Sequence, residues 1–328
     1  MPRILVTGAS GFVGYHVVAA LHAAGFTMRC LVRAQSRLDL IDAFEMELVH
    51  GDLTQPQTLS RAVENVDGVV HCAGLTRALR PEAFFAVNTE GTRHLCEACA
   101  QMGGRMQQLV MIGSLAALGP AAGPDAPVTE DKPPHPVGPY GRSKLAGQQI
   151  AVSYRHRFSV TILLPPALYG PADADFLTCF RLIRRGVMPL VGQKPRSLSL
   201  LHAEDLARAV VLCLQNPASR QKEYLLEDGA THTWDEVMAT MSRVMNRNPW
   251  TIRLPERLAW ALARFGGWWG TVSGRPPVLN SERMRELLHP YWVCCGRRIR
   301  DELGFIPQFD LAAGLRQTHD WYLNHGWI

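Results

Sequence analysis

Residues 7–14 read Thr-Gly-Ala-Ser-Gly-Phe-Val-Gly, and their setting decides the fold. An apolar run, Ile4-Leu5-Val6, comes immediately before them, and a helix-forming stretch over residues 15–24 comes immediately after. Three glycines at this spacing carry little information alone. Strand, tight turn and helix in succession describe a dinucleotide pyrophosphate site. Gly8 permits the turn, Gly11 lets the backbone approach the phosphates, and Gly14 lets helix and strand pack closely. The helix N-terminus then offers N–H groups and the positive end of its dipole to the anion. Gly8, Ser10, Gly11, Phe12, Val13 and Gly14 are the expected dinucleotide contacts, weighed against an ordinary glycine-rich βα turn.

Outward from this turn, strand and helix patterns alternate. Strands are expected at residues 26–32, 47–50, 68–73, 108–112 and 159–164, and helices at 56–63, 84–101 and 140–156. The proline-rich residues 119–139 read as a surface loop. Such alternation implies an α/β fold with a Rossmann-type doubly wound parallel sheet. From about Pro171 the pattern is less regular, and seven of the eight tryptophans lie beyond residue 240. The expected organisation is a dinucleotide-binding domain over 1–170, completed by elements near 198–226, and a smaller, mostly helical substrate lobe over 171–328. His202-Ala203-Glu204-Asp205-Leu206 opens a helix that returns to the first domain.

Composition sets outer bounds. The chain has 328 residues, 47% of them hydrophobic, enough for a substantial core. Its net charge of +5 comes without a long Lys/Arg block and fits a phosphate-bearing ligand as easily as nucleic acid, so charge decides nothing here; no nucleic-acid partner is expected. Eight cysteines are scattered, and Cys96 and Cys99 share one helix face without a second ligand pair. Structural thiols in a reducing cytosol account for them better than zinc, and no metal is expected. Met1-Pro2-Arg3 leads straight into the first strand, without a signal peptide, and no apolar run reaches the ~18 residues of a spanning helix. A cytoplasmic protein is expected, with peripheral membrane contact as an option.

Chemistry is carried by Tyr140-Gly141-Arg142-Ser143-Lys144. Tyr and Lys four apart share one helix face. A phenol titrates near 10, too high for acid–base work at neutral pH. An ammonium about 5 Å away, at an effective dielectric of about 20, stabilises the phenolate by roughly 3 kcal/mol, or about two pKa units. The pair can then exchange a proton with a carbinol. Ser114 follows the strand at 108–112, where strand C-termini face the ligand crevice, and its hydroxyl can orient a substrate oxygen toward Tyr140. A turn serine is the alternative.

Together these residues resemble the extended short-chain dehydrogenase/reductase superfamily, over nearly the whole chain. The resemblance rests on the turn at 7–14, Asp52-Leu53, His71-Cys72-Ala73-Gly74, Val87-Asn88-Thr89-Glu90-Gly91-Thr92, Ser114, the Tyr140/Lys144 pair and Leu168-Tyr169-Gly170-Pro171. It implies that Ser114, Tyr140 and Lys144 are catalytic, and that Lys144 and Tyr140 also touch the nicotinamide ribose region. It implies that Asp52 and Leu53 contact adenine, that Ala73 and Gly74 line the cofactor path, and that Asn88 supports the active-site helix. Pro166 and Leu168 join the cofactor contacts on the same ground. Relatives often dimerise through a four-helix interface, here the helices at 84–101 and 140–156, so a homodimer is expected.

The second strand ends Val32-Arg33-Ala34-Gln35-Ser36-Arg37, with no acid for the ribose hydroxyls of NAD. A guanidinium suits a 2′-phosphate and stacks on adenine. NADP is the expected cofactor, held by Arg33 with help from Arg37, and NAD is the alternative. Leu115-Ala116-Ala117 lacks the Asp-Glu pair usual in nucleotide-sugar dehydratases, and Leu164 to Ala167 lacks polar groups suited to a diphosphate sugar. The ending at Val32-Arg33 resembles dihydroflavonol reductases. The C-terminal half, with Gly274-Arg275-Pro276-Pro277, Tyr291-Trp292 and Glu302-Leu303-Gly304, resembles 3β-hydroxysteroid and sterol-4-carboxylate 3-dehydrogenases. Residues 254–272 hold Leu258, Trp260, Leu262, Phe265, Trp268 and Trp269 with few charges, a greasy wall for a polycyclic substrate or a packed helix. The expected activity interconverts a secondary alcohol and a ketone on a hydrophobic ring system, with decarboxylation where a carboxylate lies beta to the new ketone. A dihydroflavonol- or aldehyde-type reductase, an epimerase retaining NAD and a non-catalytic NADP sensor are the alternatives.

Overall fold

Continuous apolar runs make the central strands, because a parallel sheet covered by helices buries both of its faces. The computed structural model describes residues 2–102, 106–273 and 281–328. β1 (Arg3–Thr7), β2 (Thr27–Val32), β3 (Glu47–His50), β4 (Gly68–His71), β5 (Gln108–Ile112) and β6 (Ser159–Leu164) join the later strand Glu223–Leu225 in one sheet. The order is Glu223–Leu225, β6, β5, β4, β1, β2, β3, and every pairing is parallel. Alternate residues feed opposite cores. Leu5, Leu31, Val69 and Leu109 face one, while Ile4, Val6, Cys30 and Val110 face the other. This is the Rossmann-type sheet that the alternating pattern implies.

The strand order reverses at β1, between β2 on one side and β4 on the other. A ligand crevice therefore opens at the C-terminal ends of β1 and β4. The helix Phe12–Ala23 begins three residues before the expected start, because Gly11 is already its N-cap and accepts the Tyr15 N–H at 2.9 Å. The helix Ala203–Gln215 lies in the same core, with Leu206 and Val210 beside Val17 and Leu21.

Two expectations needed correction. The helix expected over 84–101 is three pieces: Pro81–Phe85, a π-helical turn Ala86–Glu90, and Gly91–Gln101. The stretch 119–139 is not simply a surface loop. Ala121 and Val128 are buried, and Val128 hydrogen-bonds both Val293 and Cys295 through its backbone. Its proline content suits it to pair with a distant edge rather than to form a strand of its own.

Beyond residue 171 a third core gathers Phe176, Phe180, Leu190, Val237 and Tyr322 with Tyr169. The strand Val187–Val191 pairs with Trp250–Leu254, and the helix Glu256–Ser273 follows. The motif at 274–277 lies outside the described residues, as do the side chains of Trp268 and Trp269. Among the described residues, no helix is long and apolar enough to cross a membrane.

Candidate active site

Two glycines of the opening turn answer separate steric demands. Gly8 has φ +73°, and a Cβ there would also lie 2.7 Å from the Ala73 backbone. A Cβ on Gly14 would come within 2.0 Å of the Gly8 carbonyl, so helix and turn touch at that point. Gly11 differs: it is exposed, and its only close neighbour would be the Gly8 carbonyl at 3.3 Å. The helix behind it carries no side-chain cap and no acid in its first turn, so its leading N–H groups suit an anion. Ser10, Phe12 and Val13 are half-buried along the same turn. These residues fit a dinucleotide pyrophosphate.

β5 ends at Ile112, and the chain passes through Gly113 to Ser114, the extended N-cap of the short helix Leu115–Leu118. The Ser114 hydroxyl oxygen accepts the Ala116 N–H at 3.1 Å, which leaves its own proton to donate. The helix Pro139–Ser153 opens on a proline, so Tyr140 sits in its first turn and Lys144 one turn later. Lys144 is only 6% exposed, and its Nζ donates to the Ile112 carbonyl at 2.6 Å. Burial pulls its pKa from 10.5 to about 8. The Tyr140 ring is half-buried and meets Phe84 edge to face at 6.0 Å.

Two glycines that the motif reading passed over create this closeness. A Cβ on Gly141 would lie 2.3 Å from the Ala116 carbonyl, and one on Gly147 would lie 2.2 Å from the Asn88 carbonyl. The Tyr140 helix is thus pressed onto the Ser114 turn near its N-terminus and onto the π turn at its middle. Glycine in a helix interior costs about 1 kcal/mol, so two in fifteen residues were a readable signal of close packing.

The π turn places Asn88 at the centre of the support. Its Nδ2 donates to the Leu75 carbonyl at 3.0 Å and to Ser143 Oγ at 2.9 Å, and its Oδ1 accepts the Leu75 N–H at 2.7 Å. Ser143 Oγ passes a bond to the Tyr140 carbonyl at 2.8 Å. A second chain runs from the opening turn. Thr92 Oγ donates to the Asn88 carbonyl at 2.8 Å, so it accepts from His71 Nε2 at 3.0 Å. His71 Nδ1 then carries the lone pair and accepts from Thr7 Oγ at 2.7 Å. Burial, with Lys144 adding to it, pulls the His71 pKa down to about 3, so the ring is neutral. π turns are found where a functional side chain must be re-aimed, and Asn88 fits that pattern.

The remaining expected contacts are spread along the crevice. Ala73 touches Gly8, and Gly74 lies between Asn88 Oδ1 and Lys144 Nζ, at 3.2 and 3.6 Å from its would-be Cβ. Pro166 is buried just beyond β6, and Pro165 next to it accepts the Leu115 N–H at 2.9 Å. Leu168 is half-buried opposite Leu201. Asp52 Oδ1 accepts two bonds from Thr54 at 2.8 Å, and buried Leu53 packs where Gly91 leaves room. Arg33 is exposed at the end of β2, while Arg37 pairs with Asp39 at 2.9 Å, both largely in solvent. The structure therefore gathers Ser114, Tyr140, Lys144, Asn88 and Gly74 in one cluster, and sets Arg33 and Arg37 at the β2 end of the crevice. Arg77, after β4, pairs with Asp175 and ties that loop to the lobe helix Ala174–Arg184. Among the described residues, no cluster of His, Cys, Asp and Glu could hold a metal ion.

A family model described as the NAD dependent epimerase/dehydratase family matches residues 4–226. The chain belongs to that family. This family member is 32% identical to a ceramide reductase of Caulobacter vibrioides over 99% of its own length and 96% of the relative. It is 27% identical to sterol demethylase protein B of Methylococcus capsulatus, over 99% of both chains. Its fold matches that of UDP-glucose 4-epimerase from Thermus thermophilus, solved with NAD, with a TM-score of 0.79 at 22% identity over 98% and 99% of the two chains. The protein is accordingly an enzyme of the extended short-chain dehydrogenase/reductase type.

Proposed function

We propose that this enzyme reduces a ketone on a ceramide-type lipid to the secondary alcohol, using NADPH. The observation that carries the chemistry is Lys144, held on the Ile112 carbonyl one helical turn from Tyr140. Its ammonium favours the tyrosinate, so the phenol gives its proton to the substrate oxygen as the carbonyl becomes an alcohol. The Ser114 hydroxyl donates to the same oxygen and orients it. Asn88 and Ser143 fix the helix that carries Tyr140 and Lys144. The nicotinamide supplies the hydride when bound. Arg33, exposed where a 2′-phosphate would lie, supports NADP.

The likeness to a ceramide reductase across the whole chain supports an acyl-chain amide lipid over the ring system expected from sequence. A sterol-type substrate is the second reading, supported by the likeness to sterol demethylase protein B. Purified enzyme with NADPH and a panel of a ketoceramide, a 3-ketosterol, a dihydroflavonol and UDP-glucose separates them by the loss of absorbance at the reduced cofactor band. Turnover of the ketoceramide is the expected result. Epimerisation of the sugar nucleotide without net cofactor consumption would replace this reading. Tyr140→Phe should lower turnover by at least about a hundredfold while sparing cofactor binding; near-normal turnover would remove Tyr140 from the mechanism.

A further inference from the structure

We infer that the surface formed by the turn at Arg184–Arg185, the strand Trp250–Leu254 and the helix Glu256–Ser273 docks on an anionic phospholipid bilayer. Six of the ten exposed large hydrophobic side chains among the described residues lie between 250 and 287, and none lies on the helices Gly91–Gln101 or Pro139–Ser153. Trp250 is 83% exposed and Phe265 61%, with Ile252, Leu258, Leu262 and Leu287 each close to half. Leu258, Leu262 and Phe265 recur at the spacing of one helix face. The neighbouring face is buried, with Ala259 and Ala263 against Met284. Exposed Arg257 and Arg264 lie on the other flank of the apolar stripe, about a quarter-turn from it. An apolar stripe bordered by arginines is the pattern of a helix lying in a membrane interface.

Charge selects the kind of surface. Residues 243–266 contain five arginines and one acid, Glu256, which is paired with Arg196; Arg253 pairs with Asp235, and Arg243, Arg247, Arg257 and Arg264 remain exposed. Exposed Arg184 and Arg185 add to this at the tryptophan itself, because the backbone N–H of Trp250 donates to the Gly186 carbonyl at 2.8 Å. Tryptophan between basic groups suits the headgroup level, where its ring is apolar and its indole N–H is wet. A second copy of the chain fits poorly, since a two-fold contact would set the same arginines against each other. Docking here would bring the lobe to the membrane, where a lipid substrate resides. The inference goes beyond the reductase reading and does not depend on it, since its test contains no substrate.

Flotation of the full chain with vesicles of phosphatidylcholine, with and without phosphatidylglycerol, tests it. The protein should float with the anionic vesicles and stay behind with the neutral ones. Each basic residue at such a surface changes affinity about fivefold, so Arg184→Gln/Arg185→Gln/Arg247→Gln should weaken binding on the order of a hundredfold. Trp250→Ala should weaken it about tenfold. Both variants should keep the parent's melting temperature and NADPH affinity. No flotation, equal flotation with both vesicles, or variants that float like the parent would overturn the inference. So would a concentration-dependent dimer that these substitutions abolish, which would assign the face to a second copy.

Discussion

Lowering the pH from 7 to 5 should weaken this fold far more than its surface carboxylates suggest, because three histidines are buried uncharged. His16, His71 and His202 are each at most 3% exposed. Burial pulls their pKa values from 6.5 to about 4, about 3 and about 3. The folded values lie below the unfolded one, so the unfolded chain takes up protons first as the pH falls. Stability is therefore complete above 6.5 and is lost progressively down to the folded values. By pH 5 each histidine has removed about 2 kcal/mol, from about 1.5 pH units at about 1.4 kcal/mol each. The three together remove about 6 kcal/mol, comparable with the whole stability of an ordinary domain. His232 acts the other way: burial opposes its charge, but Asp228 at 2.7 Å outweighs burial and raises its pKa. Net uptake on unfolding near pH 5.5 should lie between two and three protons. Urea unfolding of the cofactor-free protein across this range, with direct measurement of proton uptake, checks it. Uptake below one proton, or a slope under about 1.4 kcal/mol per pH unit, would refute the reasoning. Function should follow stability, because His71 joins the opening turn to Asn88 and His16 holds the Pro171 carbonyl at 2.8 Å.

Other perturbations separate the groups that react from those that hold them. Lys144→Met should abolish turnover yet stabilise the cofactor-free protein at neutral pH by roughly 2 kcal/mol. The fall from 10.5 to about 8 is worth about 3 kcal/mol, and the lost bond to Ile112 returns about 1 kcal/mol. A lower melting temperature for this variant contradicts that balance. Asn88→Ala strands the N–H and carbonyl of Leu75 and should cost about 2–4 kcal/mol in urea unfolding, with kcat falling more than the cofactor KM rises; a variant as stable as the parent would show that the π turn holds without it. Arg33→Ala should lower kcat/KM for NADPH at least tenfold and leave NADH unchanged, whereas equal loss with both would detach Arg33 from the 2′-phosphate.

What could be read from sequence, and what could not, divides along the range of the forces involved. The turn at 7–14 was legible because Gly8 and Gly14 answer demands raised within a few residues or by the strand beside them: a positive φ at Gly8, a helix packed on its own turn at Gly14. Tyr140 and Lys144 were legible because one helical period places them together. The π turn left no such trace. Residues 84–101 keep a helical pattern throughout, and one additional residue in a turn changes neither composition nor period enough to mark Ala86–Glu90. The hydrogen bonds of His71 reach Thr7 and Thr92, 64 and 21 positions away, so no local window contains them. The burial of Ala121 and Val128 likewise depends on partners at 291–295. Gly141 and Gly147 stand between these cases. Their cost to the helix is local and visible, but the carbonyls that require them belong to Ala116 and Asn88, and only the fold brings those carbonyls near. Residues that carry the chemistry were thus open to reading one at a time. Those that aim them draw their role from a partner elsewhere in the chain, and Gly147, with no side chain at all, sets how closely the Tyr140 helix can approach Asn88.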